Sequence, residues 1–221
     1  MTAGADTPSP RSAGLRTEAV LPFRFETPLV TDRLVLRLMR LADVDAVHAY
    51  QSREDVCRYL LFEPRSRDLV AERVAEHARA DRLATDGDHL RLALVLGEGE
   101  ERAGTVIGDS SFGLSSVEHA RGEIGWTMHP DFSGRGYATE AARAVLELAF
   151  ATLRLHRVVA ELDPRNDASV AMCRRLGMRE EAHFVRDWWF KGEWADTGVY
   201  AILRQEWLGG PTPEAQRPEQ G

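Results

Sequence analysis

The sequence predicts one mixed α/β domain, a sheet of about seven strands with helices on its faces. Three observations carry this expectation. Short runs alternate apolar and polar residues with period two, longer segments repeat with helical period between them, and no internal repeat or low-complexity linker divides the 221 residues. A chain of this length, 43% hydrophobic and 29% charged, has enough apolar residues for a sizeable core.

The elements follow in order. Thr31 to Leu38 alternates leucines with polar residues and reads as a first strand, and Asp43 opens a helical stretch toward Tyr50. Helical periodicity continues over Glu54 to Leu61 and Asp68 to Leu83, with an interruption at Pro64. Arg91 to Leu96, Gly104 to Leu114 and Arg121 to Met128 then read as three strands of an antiparallel meander. Ala142, Val145, Leu146, Ala149 and Leu153 recur at helical spacing, giving an amphipathic helix of about four turns. Arg157 to Leu162 is a strand, Asp167 to Leu176 a helix closed by Gly177, and Ala182 to Phe190 with Trp194 to Leu203 a terminal hairpin around Lys191-Gly192-Glu193. Residues 1 to 25 and 209 to 221 are rich in Gly, Pro and polar residues and are expected to be mobile tails around a single domain over 26 to 208.

Composition excludes several classes. The net charge of −7 speaks against nucleic acid, which is held mainly through clustered Lys and Arg, and suits a cationic partner better. No run has the 18 or more apolar residues of a membrane span, and the N-terminus lacks the apolar core of a secretory signal, so no membrane partner and a cytoplasmic location are expected. Cys57 and Cys173 stand far apart, and the seven histidines form no HxxxH or HExxH pair, so no metal site is expected.

The stretch His129-Pro130-Asp131-Phe132-Ser133-Gly134-Arg135-Gly136-Tyr137-Ala138-Thr139-Glu140 joins the last meander strand to the amphipathic helix. Its small residues Gly134, Gly136 and Ala138 suit either a tight strand-to-helix turn or a ligand that touches the main chain. A helix N-terminus carries unpaired N–H groups and about half a positive charge, which favours an anion such as a phosphate. There is no GxxxxGK[ST] P-loop, and a dinucleotide-binding fingerprint needs glycine where Thr139 stands and a parallel unit rather than a meander.

These residues resemble the GNAT N-acetyltransferases, whose first motif ends in [Arg/Gln]-x-x-Gly-x-[Gly/Ala]; the corresponding residues here are Ser133-Gly134-Arg135-Gly136-Tyr137-Ala138, without the leading Arg or Gln. Gly122-Glu123-Ile124-Gly125-Trp126, His129-Pro130 and the glycine loop are similar to the branch that includes the ribosomal-protein N-terminal acetyltransferases of the RimJ/RimL type. Asn166 to Met178 resembles that branch's Asn-x-x-Ser…Leu-Gly-Phe signature, with Met178 for Phe, and Thr31 to Arg37 and Lys191 to Asp196 add two further echoes. The resemblance spans about residues 29 to 207. It implies a V-shaped, mostly antiparallel sheet, with acetyl-CoA as cosubstrate wedged between the fourth and fifth strands. An acetyl group would then pass to a primary amine, either a protein N-terminus or a small cationic molecule. A non-catalytic acyl-CoA-binding module of the same fold is the alternative, and a dinucleotide oxidoreductase keeps only the glycines in its favour.

For the cofactor, the resemblance implies Met128, His129, Gly134, Arg135, Gly136, Tyr137, Ala138 and Thr139 from the loop, with Asn166, Ser169 and Cys173 from the following helix. Arg143, Arg174 and Arg175 are within reach of a ribose phosphate. Asn166 and Ser169 are equally good helix caps. For the chemistry, alternation puts Glu123, Gly125 and Thr127 on one face of their strand, and Glu123 is the candidate general base. Cys173 stands where many GNAT enzymes carry a tyrosine that protonates the departing thiolate, and it reads equally as a packed thiol. Tyr200, Ser169, Tyr137 or solvent are the other candidates for the acid. The aromatic run Trp188-Trp189-Phe190 and Trp194 packs the hairpin or walls the acceptor site. The chain is expected as a monomer or a homodimer paired through that hairpin.

Overall fold

Leu90, Leu92, Leu94 and Leu96 point to one side of their strand while Ala93 and Val95 point to the other, and both sets are buried. A strand apolar on both faces belongs in the middle of a sheet covered on both sides. The computed structural model, which describes residues 18–209, has that arrangement. In chain order the elements are β1 (Phe23–Arg24), β2 (Leu29–Val30), β3 (Leu34–Leu38), α1 (Val44–Gln51), α2 (Glu54–Cys57), α3 (Arg67–His77), β4 (Arg82–Leu83), β5 (His89–Leu96), β6 (Val106–Ser116), β7 (Arg121–Met128), α4 (Tyr137–Glu147), β8 (Arg157–Leu162), α5 (Asp167–Arg175), β9 (Arg179–Phe190), β10 (Glu193–Leu203) and α6 (Arg204–Trp207). The main sheet has eight strands in the order β2-β3-β5-β6-β7-β8-β10-β9, and β1 pairs with β4 in a small second sheet.

Helices α4 and α5 cover one face, where Ile107, Phe112 and Ile124 pack with Val145, Leu146 and Phe150. The other face is covered by α1 and α3, whose Val47, Tyr50, Val70 and Val74 pack on Ala93, Val95 and Val106. Ser66 starts α3 by accepting the Leu69 N–H with its side chain.

Three boundaries differ from those the sequence predicts. The helix expected over Glu54 to Leu61 ends at Cys57, and the one expected to reach Leu83 ends at His77, because Leu83 is buried and paired with Phe23. Tertiary pairing outweighs local periodicity there. The expected N-terminal tail is also too long: residues 18–25 are packed, with Val20 N–H bonded to Leu153 O at 2.8 Å and Phe25 buried. Residues 1–17 and 210–221 of the two expected tails lie outside the described residues.

All neighbours in the large sheet run antiparallel except β7 and β8. These two are parallel and pair only through Arg121–Arg157, Gly122–Val158 and Glu123–Val159. Beyond Glu123 they separate, which opens the sheet into the expected V. Gly122 sits at the meeting point, where an added Cβ would lie 2.9 Å from Leu155 Cδ1 and 3.0 Å from Phe112 Cε2. Any larger residue would push the strands apart at their one place of contact.

The start of α4 is tied to the start of β3. Glu140 Oε1 accepts from Thr31 Oγ1 at 2.6 Å and Arg33 N at 2.9 Å, and Oε2 accepts from Arg33 Nε at 2.7 Å. Burial alone pushes the Glu140 pKa up, but the hydrogen bonds from Thr31 and Arg33 outweigh it and hold the carboxyl below its usual 4.5. A depressed carboxylate adds stability above its unfolded pKa and loses it as the pH falls through the folded one. Glu140→Gln should therefore lower unfolding free energy by about 1–2 kcal/mol at pH 7, where solvent screens the partly exposed Arg33, and by less at pH 3. Urea melts at the two pH values check this; an equal gap at both would show that the charge does not matter.

Candidate active site

The loop between β7 and α4 begins with His129, whose Nδ1 accepts the Asp131 N–H at 3.2 Å, and with a single tight turn over Pro130–Phe132 that buries the Phe132 ring. Gly134 and Gly136 follow with φ of 75° and 84°. In that region a Cβ is strained, so glycine is the natural occupant. Among the described residues, the backbone N–H groups from Gly134 to Thr139 have no acceptor within the protein, and Gly136 caps α4 without a side-chain bond. Six successive donors are thereby left at a helix N-terminus.

The outer side of the loop is fixed separately. Arg33 Nη1 donates to Arg135 O at 3.0 Å, its guanidinium lies 4.5 Å from the Tyr137 ring centre, and Tyr137 Oη donates to Glu100 at 2.5 Å. The inner side borders a cavity of about 590 Å³ lined by Ser133, Gly134, Gly136, Ala138 and Thr139 on the loop side and by Ala168, Met172 and Arg175 on the α5 side. These residues fit a diphosphate group: unused donors, open space beside Gly134 where an added Cβ would meet nothing within 4 Å, and an arginine in the wall.

This cavity continues through the opening between β7 and β8. Leu60, Trp126, Thr127, Asn166 and Ser169 line it and also a second cavity of about 430 Å³ on the α1/α2 side of the sheet. Asn166 caps α5 by accepting the Ser169 N–H at 3.1 Å. Ser169 Oγ accepts the Trp126 Nε1–H at 3.2 Å, which leaves its own hydroxyl proton to be donated.

In the second cavity, Glu161 projects from β8 on the face that carries Glu123, because Val159 and Glu161 follow the Glu123–Val159 pair with period two. Arg91 enters from β5, paired with the fully buried Asp109. Arg91 Nη1 lies 3.0 Å from Asp109 Oδ1, close enough for an ion pair but not aligned as a hydrogen bond, while Asp109 Oδ2 accepts from Tyr50 Oη at 2.6 Å. Burial first, and the Asp109 charge second, push the Tyr50 phenol well above its usual pKa, so it keeps its proton.

The structure brings together most of the expected site. Met128, Gly134, Gly136, Tyr137, Ala138, Thr139, Asn166 and Ser169 line the first cavity. Arg135 and His129 do not line it: the Arg135 guanidinium is 5.8 Å from the Phe132 ring, and the His129 ring packs edge-on to Tyr50 and Phe132. Cys173 is wholly buried, and desolvation pushes its thiol up to about 12, so it is a packed thiol rather than a cofactor contact or proton donor. The cavity face of α5 is Ala168, Ser169, Met172 and Arg175, one helical step from the face that contains Cys173. Tyr200 is also buried, its hydroxyl donating to Glu180 at 3.0 Å, and it lines neither cavity.

Glu123 lines neither of the two joined cavities. It borders an adjacent one of about 420 Å³ with Asp88, His89, Arg91 and Ser111, of which Arg91 and Ser111 also reach the second cavity. Burial, then the neighbouring Glu161 charge, raise its pKa, a push that solvent screens because the residue as a whole is exposed. Glu161, Arg58 and Tyr59 were not among the expected site residues. Strand alternation around Val159 was the available signal for Glu161; none marked the segment after α2.

Among the described residues, no helix is long and apolar enough to cross a membrane, and no group of three His, Cys, Asp or Glu is placed to hold a metal ion.

Residues 33–179 match the family model described as an acetyltransferase (GNAT) domain. YnaD of Bacillus subtilis (strain 168), an uncharacterized N-acetyltransferase, is 33% identical over 180 residues, which are 81% of this chain and 98% of that one. The crystal structure of a GNAT-family acetyltransferase from Bacillus anthracis aligns with a TM-score of 0.71 at 30% identity, covering 81% of this chain and 99% of the other. A spermidine N-acetyltransferase from Vibrio cholerae, crystallised with CoA and spermine, aligns with a TM-score of 0.67 over 80% of this chain and 99% of its own, and at 22% identity it shares the fold. The chain belongs to the GNAT acetyltransferase family, whose members take their acetyl group from acetyl-CoA.

Proposed function

We propose that this chain transfers an acetyl group from acetyl-CoA to a primary amine held in the cavity on the α1/α2 side of the sheet. The observation that carries this reading is the continuity of two unlike cavities through the β7/β8 opening, one bordered by unused backbone donors and the other containing an unpaired carboxylate. Acetyl-CoA supplies the activated acyl group as a thioester. The N–H groups of Gly134 to Thr139 hold its diphosphate, helped by the N-terminal field of α4 and by Arg175.

An amine must lose its proton before it attacks. At pH 7 an α-amino group is roughly 10–20% neutral and a lysine-like amine only about 0.04%. Glu161 is the unpaired carboxylate of the acceptor cavity, since Asp163 and Asp196 are held by Arg165 and His183, and it takes that proton; Glu123, expected as the base, stands one strand away on the same face and acts through Glu161. At the junction, Ser169 Oγ is fixed by the Trp126 indole and directs its hydroxyl proton into the opening. The burial of Cys173 and Tyr200 supports one rival reading, a module that binds acyl-CoA without turnover, because it removes two proton donors from the junction.

Two measurements test the proposal. Ala138→Asp puts a carboxylate among the unused donors, where it also suits the helix dipole; it should weaken CoA binding more than tenfold by calorimetry with little loss of thermal stability. Unaltered affinity would remove the diphosphate from this loop. In an assay of thiol release across a panel of amines, Glu161→Gln should lower kcat by roughly 10²-fold, near the low end for a general base, while Glu123→Gln should lower it less than tenfold. The opposite order would return the base to Glu123, and tight CoA binding with no release on any amine would favour the non-catalytic module.

A further inference from the structure

The charges of the acceptor cavity separate into paired and unpaired ones. Asp163 accepts from Arg165 Nη2 at 2.7 Å and Nε at 3.0 Å, and Arg165 Nη1 also reaches Glu193 at 2.8 Å. Asp196 lies 2.7 Å from His183 Nε2 and accepts the Arg186 N–H at 2.9 Å. Arg91 is paired with Asp109. Among the described residues, two charged side chains of the lining have neither an ion-pair nor a hydrogen-bond partner: Glu161 on β8 and Arg58, whose guanidinium lies 5.9 Å from the Tyr59 ring centre.

These two come from opposite boundaries of the cavity, the sheet and the segment that follows α2. Tyr59, Phe62, Trp126, Trp188 and Phe190 supply aromatic lining. The segment is fastened to the hairpin, since Lys191 Nζ donates to Cys57 O at 2.5 Å, so the end of α2 and the hairpin tip are bridged. A volume of about 430 Å³ behind that bridge suits a small molecule.

We infer that the acceptor is a small zwitterion in which an apolar, ring-sized body separates a primary amine, seated at Glu161, from an anionic group, seated at Arg58. This rests on the acetyltransferase reading above. A polyamine fits the charge pattern poorly: after Glu161 its further ammonium groups meet no unpaired carboxylate, and the unpaired Arg58 repels them. Arg58 and Glu161 are both exposed, so a neutral-bodied amine leaves Arg58 to water, whereas a zwitterion engages both free charges and places its body against the rings.

The test is thiol release from acetyl-CoA by the full chain with 4-(aminomethyl)benzoate, benzylamine, spermidine and a short peptide with a free N-terminal serine. 4-(Aminomethyl)benzoate should exceed benzylamine in kcat/KM by about tenfold or more and exceed both other acceptors. Arg58→Ala should bring the ratio to benzylamine close to one, chiefly through KM, and Arg58→Lys should keep most of it. Preference for spermidine or the peptide, or a ratio indifferent to Arg58→Ala, overturns the zwitterion while leaving the acetyltransferase reading in place. Absence of release with every amine, with CoA still bound, overturns the acetyltransferase reading and this inference with it.

Discussion

The site depends on how briefly β7 and β8 stay paired. Parallel strands of one sheet ordinarily share a full ladder, but these two share three residue pairs and then diverge. Past Glu123 and Val159 the backbone groups facing the gap have no partner strand, a costly arrangement in a closed core and a useful one where a ligand or solvent can meet them. The contact persists because Gly122 lets Leu155 and Phe112 close over it and because β10 continues the sheet along β8 through six residue pairs. The opening is thus a consequence of strand pairing, held by a small residue at its vertex and a long antiparallel partner on one arm.

The loop that borders the opening is held from its outer side. Arg33 reaches the Arg135 carbonyl and the Tyr137 ring while Glu140 gathers Thr31 and Arg33, so the side-chain bonds and the exposed amides occupy different faces of the same turn. This division lets a glycine-rich segment keep one shape without using its own N–H groups to do so. Preorganised donors of this kind cost no rearrangement when an anion arrives. The Thr31–Arg33 stretch and the glycine loop, far apart in sequence, are therefore parts of one device.

Much of this was legible in the sequence. Alternating leucines in β3 and β5 gave the strands, and Gly134, Gly136 and Ala138 marked the loop, because local sterics and period-two burial act within a few residues. What escaped depended on distant partners. The cavity face of α5 could not be separated from the Cys173 face by spacing alone, since the two differ by one helical step and the sheet decides which is buried. Alternation put Glu123 and Glu161 on polar faces of their strands, but only the point at which β7 leaves β8 selects the one that borders the opening. Residues 18–25 look like tail by composition; Phe23 and Phe25 pack because Leu83 and Asp81 are there to receive them. Arg58 lies in a segment whose helical period ends once the hairpin tip takes the Cys57 carbonyl.

The free carboxylate of the acceptor cavity owes its freedom to a residue outside it. Arg91 borders both the cavity of Glu161 and the adjacent one of Glu123, and a guanidinium beside two carboxylates would ordinarily pair with one of them. Asp109, fully buried on the neighbouring strand, holds that charge instead, with its other oxygen fixed by Tyr50 from α1. An unpaired buried aspartate is far more costly than an unpaired carboxylate at the cavity surface, so the allocation of Arg91 to Asp109 follows from desolvation. The result is a cavity wall in which the Arg91 charge is already neutralised and Glu161 is left unpaired. The core packing of α1 against the sheet therefore decides which carboxylate is left unpaired beside the opening.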